Sequence, residues 1–184
     1  MPDIVIETER LILRKIEESD AALQYELLNT PAVMECLGGV KELHEIEAKH
    51  AKSMSWFARE GFGFMMLIEK STGELVGHCG MKRVDNPLAP NVGDHEIGWL
   101  VREDRWRHGY ANESMRAVIN WAFDSIGVPY LVAITSERNE ASWRFMEKLG
   151  MERRKDLDFD DPAYDPRDNP AIQYSLSREQ WETK

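Results

Sequence analysis

A short turn in the middle of the chain carries the residue types that bind phosphate. It runs from Trp106 to Ala111 (WRHGYA), after an apolar stretch, EIGWLV, and before an amphipathic segment. The first N–H groups of a helix have no partner within the helix, and the helix dipole adds partial positive charge there. A glycine such as Gly109 lets the backbone approach a bulky anion. We therefore predict that this turn holds the pyrophosphate of a nucleotide-like cofactor.

A carboxylate stands on the strand expected before the turn. Glu96 and Leu100 are four residues apart, so the alternation of strand side chains places them on one face. Glu96 would act as a base there, directly or through a water, and a strand-end salt bridge is an equally good interpretation. His95 points to the opposite face. The five histidines show neither HxH nor HExxH spacing, so we predict no metal.

The overall composition is typical of a cytosolic protein of one domain. The chain has 184 residues, of which 42% are hydrophobic and 30% are charged. Its net charge of −10 argues against a nucleic-acid partner, and it either suits a cationic substrate such as an amine or serves solubility. No membrane span or signal core is visible, and Cys36 and Cys79 are isolated. We therefore predict a cytoplasmic protein that binds no membrane.

The apolar patterns predict strands and helices in the order β-α-α-β-β-β-α-β-α-β-β. The second helix, over 42–59, places Leu43, Ile46, Met54 and Phe57 on its inner side. Predicted strands include 10–15, 130–134, 151–157 and 172–176, and the chain from 62 to 84 forms a hairpin. This order indicates a mixed sheet with helices on both faces, an α/β or α+β domain.

Several further motifs accompany the turn in a fixed order. They are Thr8-Glu9-Arg10-Leu11-Ile12-Leu13-Arg14, Pro31-Ala32-Val33-Met34, Leu37-Gly38-Gly39, Glu96-Ile97-Gly98-Trp99-Leu100-Val101, Trp106–Glu113, Asn139-Glu140-Ala141-Ser142 and Glu147-Lys148-Leu149-Gly150-Met151. In this order and spacing, they resemble the GNAT superfamily of acetyl-CoA-dependent N-acetyltransferases. The greatest likeness is to its RimJ/RimL branch, the ribosomal-protein-alanine acetyltransferases.

The resemblance implies a fold and a reaction. The fold would be a mixed, mostly antiparallel sheet of six to seven strands with about four helices on both faces. It would form a single domain over 1–184 with a core of about 10–178. The expected reaction is transfer of acetyl from acetyl-CoA to a primary amine by direct attack in a ternary complex. The acceptor would be a protein N-terminus or a small amine, and a homodimer is one assembly that the resemblance permits.

The resemblance also implies the cofactor-binding residues. The family turn is Q/R-x-x-G-x-G/A, where Trp106 takes the first position and Gly109 and Ala111 fit the last two. Many relatives have glycine where this chain has Arg107, which would either add charge against a phosphate or be a solvated cation. The implied set is Trp99, Leu100 and Val101 through their backbone, then Trp106, Arg107, His108, Gly109, Tyr110, Ala111 and Asn112, and finally Asn139.

The proton-transfer residues implied by the family are only partly present. Glu96 matches the position of the family base, whereas Met146 stands where many relatives have a tyrosine acid. Ser142 would relay a proton instead, or it would simply be a small residue that permits close packing. The alternative function is a non-catalytic acyl-CoA-binding sensor or assembly module. An acidic loop over 158–171 would attract a cationic acceptor or be merely solvated.

Overall fold

The computed structural model describes residues 3–183, which form two compact units. The first unit contains residues 3–82 and 99–126, and the second contains 83–98 and 127–183. The described residues include eight strands and six helices. None of these helices is both long enough and apolar enough to cross a bilayer. No group of three or more His, Cys, Asp or Glu within 3–183 is arranged to hold a metal ion.

Four antiparallel strands and four helices build the first unit. Its strands are β1 (Ile4–Glu7), β2 (Leu11–Lys15), β3 (Phe64–Glu69) and β4 (Leu75–Arg83), adjacent in chain order. Its helices are α1 (Asp20–Leu28), α2 (Pro31–Met34), α3 (Leu43–Glu60) and α4 (Tyr110–Trp121), the last continued by a π-type turn over Ala122–Ile126. The β3–β4 hairpin is confirmed, and the strand predicted at 10–15 is β2. The sequence prediction missed β1 and α2.

Helix α3 begins and ends where its sequence indicates. Glu42 forms a capping box with Glu45, and Gly61 closes the helix in the left-handed conformation at φ +78°. The predicted inner face was wrong in part, because Leu43 is exposed and Met54 and Phe57 are only partly buried. The buried residues are instead Ile46, His50, Ser53 and Trp56. His50 and Ser53 can be buried on this face because each forms a hydrogen bond there, with Gln24 and with Phe64.

Neighbouring residues on β4 show that α3 and α4 cover opposite faces of the first unit's sheet. Adjacent strand residues point in opposite directions. The Cys79 thiol is hydrogen-bonded to Ser114 on α4. The ring of His78 lies 5.4 Å from the ring of Phe64, whose backbone N–H donates to Ser53 on α3 at 2.7 Å. The α3 face also buries an apolar cluster that includes Ile16, Leu28, Met66 and Leu75, with Leu100 packed against it.

The second unit is built on β6 and β8. Its elements are the first half of β5 (His95–Val101), then β6 (Tyr130–Ser136), α5 (Glu140–Leu149), β7 (Glu152–Arg153), β8 (Ala171–Ser177) and α6 (Arg178–Glu182). β6 and β7 both pair antiparallel with β8, whereas β5 runs parallel to β6 with Glu96 opposite Val132. The strand predicted over 151–157 is only two residues long, because the chain turns into a short 3₁₀ segment at Lys155. α6 was not predicted.

The acidic loop over 158–171 uses much of its charge inside the second unit. Asp161 accepts a hydrogen bond from Asn86 at 2.6 Å, and Asp168 accepts one from Arg138 at 2.8 Å. Both carboxylates are buried. Asp158 forms an ion pair with Arg153 at 2.6 Å. These carboxylates therefore hold the loop in place.

Candidate active site

The predicted phosphate turn leads directly into α4. Gly109 is the residue before the helix and takes the left-handed conformation at φ +82°. It offers no side-chain acceptor, and the first intrahelical hydrogen bond runs from the Glu113 N–H to the Gly109 carbonyl at 3.0 Å. The first backbone N–H groups of the helix are those of Tyr110, Ala111 and Asn112. They receive no hydrogen bond from a side chain of Gly109. Such a helix start fits an anion like a phosphate.

Arg107 takes a backbone conformation that favours glycine. It has φ +63° and is the only non-glycine residue in the described part of the chain with positive φ. A residue with a Cβ pays roughly 1–2 kcal/mol for the left-handed conformation. The turn therefore keeps the backbone path that glycine would favour, even though an arginine occupies it.

Trp106 connects the turn to the end of β5. Its indole N–H donates to the Val101 carbonyl at 2.8 Å, while 45% of the residue stays exposed. The neighbouring Leu100 carbonyl lies so close to β4 that a Cβ built on Gly77 would be 2.1 Å from its oxygen. The backbone of Trp99, Leu100 and Val101 is thereby held between the turn and β4.

Three residues, which we name the Glu113 cluster, fix the turn to the first two strands. Glu113 accepts hydrogen bonds from the Thr8 hydroxyl at 2.5 Å, from the Arg10 backbone N–H at 2.8 Å and from Arg10 Nε at 2.6 Å. The Arg10 guanidinium also donates to the His108 carbonyl at 3.0 Å. Burial alone would raise the pKa of Glu113, but the hydrogen bonds from Thr8 and Arg10 outweigh it and lower that pKa.

The Tyr110 side chain has a structural partner beneath the turn. It is 6% exposed, and its hydroxyl donates to Glu69. This hydrogen bond, and after it the one from Thr72, lowers the pKa of Glu69. The bond to Glu69 also raises the pKa of the Tyr110 phenol. The phenol is therefore used inside the protein, and only the backbone N–H of Tyr110 remains for an anion. Sequence reasoning missed Glu69 and Glu113, because a single sequence does not show which distant residues pair.

Three of the predicted site residues belong to the second unit. The Asn139 side chain accepts from the Ser142 N–H at 3.3 Å and caps α5, so the structure brings these two residues together. Ser142 is partly buried. Glu96 is also partly buried and lies on β5 opposite Val132. Their roles in catalysis stay predictions.

Two histidines of the first unit form a polar group that sequence reasoning overlooked, and we call them the histidine pair, His50 and His78. His50 Nε2 lies 2.6 Å from Gln24 Oε1. Within residues 3–183, the Nδ1 atoms of both histidines are buried without a hydrogen-bond partner. Burial lowers the pKa of His50, and it lowers that of His78 to about 3. Both imidazoles are therefore neutral near pH 7.

Cys79 has no nucleophilic character. It is fully buried, and burial raises the pKa of its thiol to about 12. The thiolate is the reactive form, so this cysteine is inert. Cys79 is a core residue.

The chain matches a known family of acetyltransferases over most of its length. A sequence model described as "Acetyltransferase (GNAT) domain" matches residues 10–152. The uncharacterized N-acetyltransferase YoaA of Bacillus subtilis (strain 168) is 30% identical over 152 residues, which cover 81% of this chain and 83% of YoaA. The chain therefore belongs to the GNAT family and is an N-acetyltransferase enzyme.

Solved structures share this fold. An acetyltransferase from Agrobacterium tumefaciens str. C58 superposes with a TM-score of 0.78 at 26% identity and covers 94% of each chain. The aminoglycoside acetyltransferase AAC(6')-Ib, solved in complex with coenzyme A, has a TM-score of 0.71 at 22% identity, over 95% of this chain and 98% of that one. The mixed, mostly antiparallel α/β fold is thus confirmed. The predicted numbers of strands and helices were low, because β1, α2 and α6 are short.

Proposed function

We propose that this enzyme transfers the acetyl group of acetyl-CoA to a primary amine by direct attack within a ternary complex. The start of α4 carries the proposal. Its first N–H groups have no side-chain cap from Gly109, and the Glu113 cluster holds the preceding turn in position. Backbone donors at a helix start suit the pyrophosphate of coenzyme A. The coenzyme A bound to AAC(6')-Ib supports a fold of this kind as a host for that ligand.

The backbone of Trp99, Leu100 and Val101 would serve the reacting thioester. Preorganised N–H donors stabilise a carbonyl oxygen as negative charge develops on it. The amine nitrogen forms a bond to the carbonyl carbon, the carbon–sulfur bond breaks, and the thiolate takes up a proton. Glu96 would accept the proton that the amine loses, and Ser142 would relay one to the leaving thiolate. Asn139 would contact the pantetheine or phosphate region.

The acceptor is a protein N-terminal amine or a small amine. The motif residues quoted above support the RimJ/RimL branch and hence a protein N-terminus. We further propose that the chain works as a single domain in the cytoplasm. No covalent acetyl-enzyme is required, because Cys79 is inert and the amine attacks directly.

Thiol release from acetyl-CoA, measured with a panel of primary amines and N-terminal peptides, tests the proposed function. We expect turnover with at least one amine. Glu96→Gln should lower kcat by about 100-fold and change its pH profile, while the Kd for acetyl-CoA stays the same. Glu152→Gln, an exposed glutamate of the same unit, is the matched control. Tight coenzyme A binding without turnover of any amine would disprove the proposal, and unchanged kinetics in Glu96→Gln would exclude Glu96 as the base.

A further inference from the structure

The histidine pair presents an acceptor atom that the described protein does not satisfy. His50 is 4% exposed, and its Nε2 atom lies 2.6 Å from the amide oxygen of Gln24. An amide oxygen only accepts, so Nε2 carries the hydrogen and Nδ1 keeps its lone pair. No residue within 3–183 donates to that Nδ1 atom. Buried polar atoms nearly always have partners, so this atom indicates a ligand.

His78 buries a second ring nitrogen without a hydrogen-bond partner among residues 3–183, on the same face of the sheet. It lies opposite Met66 on β3, and its ring is 5.4 Å from the Phe64 ring. Its Nδ1 atom is also buried without a partner among the described residues. Ser53, which follows His50 by one turn of α3, accepts from the Phe64 N–H at 2.7 Å. Phe64 thus contacts His78 through its ring and the α3 turn that follows His50 through its backbone, and the two histidines interact electrostatically.

The chemistry of the pair suits an amine. Because burial lowers the pKa of both rings, they are neutral hydrogen-bonding groups, and the Lys49 charge that also acts on His78 favours an uncharged amine over a cation. An uncharged primary amine has two N–H groups and one lone pair. With His78 protonated at Nε2, its Nδ1 atom and that of His50 would accept from the two N–H groups and leave the lone pair for attack. Apolar side chains nearby, Phe64 and Met66, would contact an apolar arm.

The pair also lies next to the backbone that we propose for the thioester. The ring of His78 lies 5.4 Å from the ring of Phe64 on the α3 face. Leu100 packs in the same apolar cluster as Phe64 and Met66. An amine held by His78 would thus lie beside the end of β5.

We propose that the Nδ1 atoms of His50 and His78 form the subsite for the acceptor amine, and that this acceptor is a primary amine on an apolar arm. The proposal rests on the proposed function, since it names the acceptor side of the same reaction. The two histidines would position the amine through hydrogen bonds.

Kinetics with butylamine and acetyl-CoA test the subsite. His50→Leu should raise the KM for butylamine about tenfold or more, because one hydrogen bond to the amine is lost. The KM for acetyl-CoA should not change. His44→Leu, an exposed histidine on the same helix, should change neither constant. His78→Leu repeats the test if His50→Leu does not fold, and a butylamine KM equal to that of the unsubstituted enzyme in a folded variant would overturn the proposal.

A second measurement does not depend on turnover. Imidazole ¹⁵N resonances of the unsubstituted enzyme would be titrated with butylammonium chloride in the presence of coenzyme A. We expect the Nδ1 resonances of His50 and His78 to shift, and that of His44 to stay. Tetramethylammonium, which has no N–H, should shift none of them. Unmoved resonances, or equal shifts with tetramethylammonium, would overturn the subsite, whereas shifts without thiol release would support it and count against the proposed reaction.

Discussion

The two faces of the first unit differ in whether their buried polar groups have hydrogen-bond partners within the protein. On the α4 face, Glu113 accepts three hydrogen bonds from Thr8 and Arg10, so its charge is satisfied within the protein. On the α3 face, His50 and His78 each bury an Nδ1 atom that no residue within 3–183 satisfies. The first arrangement fixes a binding turn before any ligand arrives. In the proposed subsite, the acceptor amine completes the second.

Removing the charge of Glu113 should have the largest effect. Glu113→Gln replaces an ionised acceptor by an amide that faces the Arg10 donors, and we expect the free energy of unfolding to fall by about 2 kcal/mol. The hydrogen bonds lower the pKa of Glu113, so its stabilisation is present above the unfolded-state pKa of about 4.3 and is lost as the pH falls below that range.

Urea unfolding of the two proteins between acidic and neutral pH measures this difference. The difference between their free energies of unfolding should be largest near neutral pH and should disappear in acid. Glu47→Gln, an exposed glutamate on α3, is the control and should change little. A difference that is the same at every pH would show that the charge of Glu113 does not stabilise the turn.

Removing the polar pair on the other face should have a smaller effect of the opposite sign. In Gln24→Leu/His50→Leu, both hydrogen-bonding partners become apolar, so no new polar atom is left unpaired. We expect the free energy of unfolding to rise by about 1 kcal/mol, while the butylamine KM increases.

Thermal and urea unfolding check this result against a single variant. Gln24→Leu alone strands the Nε2–H of His50 and should destabilise the protein by roughly 1–3 kcal/mol. A double variant less stable than the unsubstituted protein would mean that this face, like the other, is stabilised by its polar residues.

The smallest expected effect is at the turn itself. Arg107→Gly removes the Cβ from a left-handed residue, and the larger entropy of glycine in the unfolded chain offsets part of the gain. We expect the free energy of unfolding to rise by about 0.5 kcal/mol. His108→Gly, the next exposed position, should instead lower it, and isothermal titration with acetyl-CoA would show whether the Arg107 charge contributes to affinity. Equal effects of the two substitutions would contradict strain at Arg107.

The sequence predicted the local structure before α4 better than the buried residues of α3. The Trp106–Ala111 turn and Gly109 are local features, in which neighbours in sequence determine the backbone. The Glu113 cluster joins residues about a hundred positions apart, and no local pattern reveals such a pairing. His50 was missed for a different reason. Apolar spacing along α3 favoured Leu43 and Phe57 as inner residues, whereas the helix buries His50 and Ser53 with partners from other elements.

Gly77 limits the substitutions that β4 can tolerate. Its lack of a side chain sets the spacing between β4 and the end of β5, because any Cβ there would overlap the Leu100 carbonyl. A substitution at this position would be compensated only if the strand end withdrew. Trp106, bonded to the Val101 carbonyl, would then move as well. A substitution at Gly77 on β4 would therefore also change the geometry of the turn before α4.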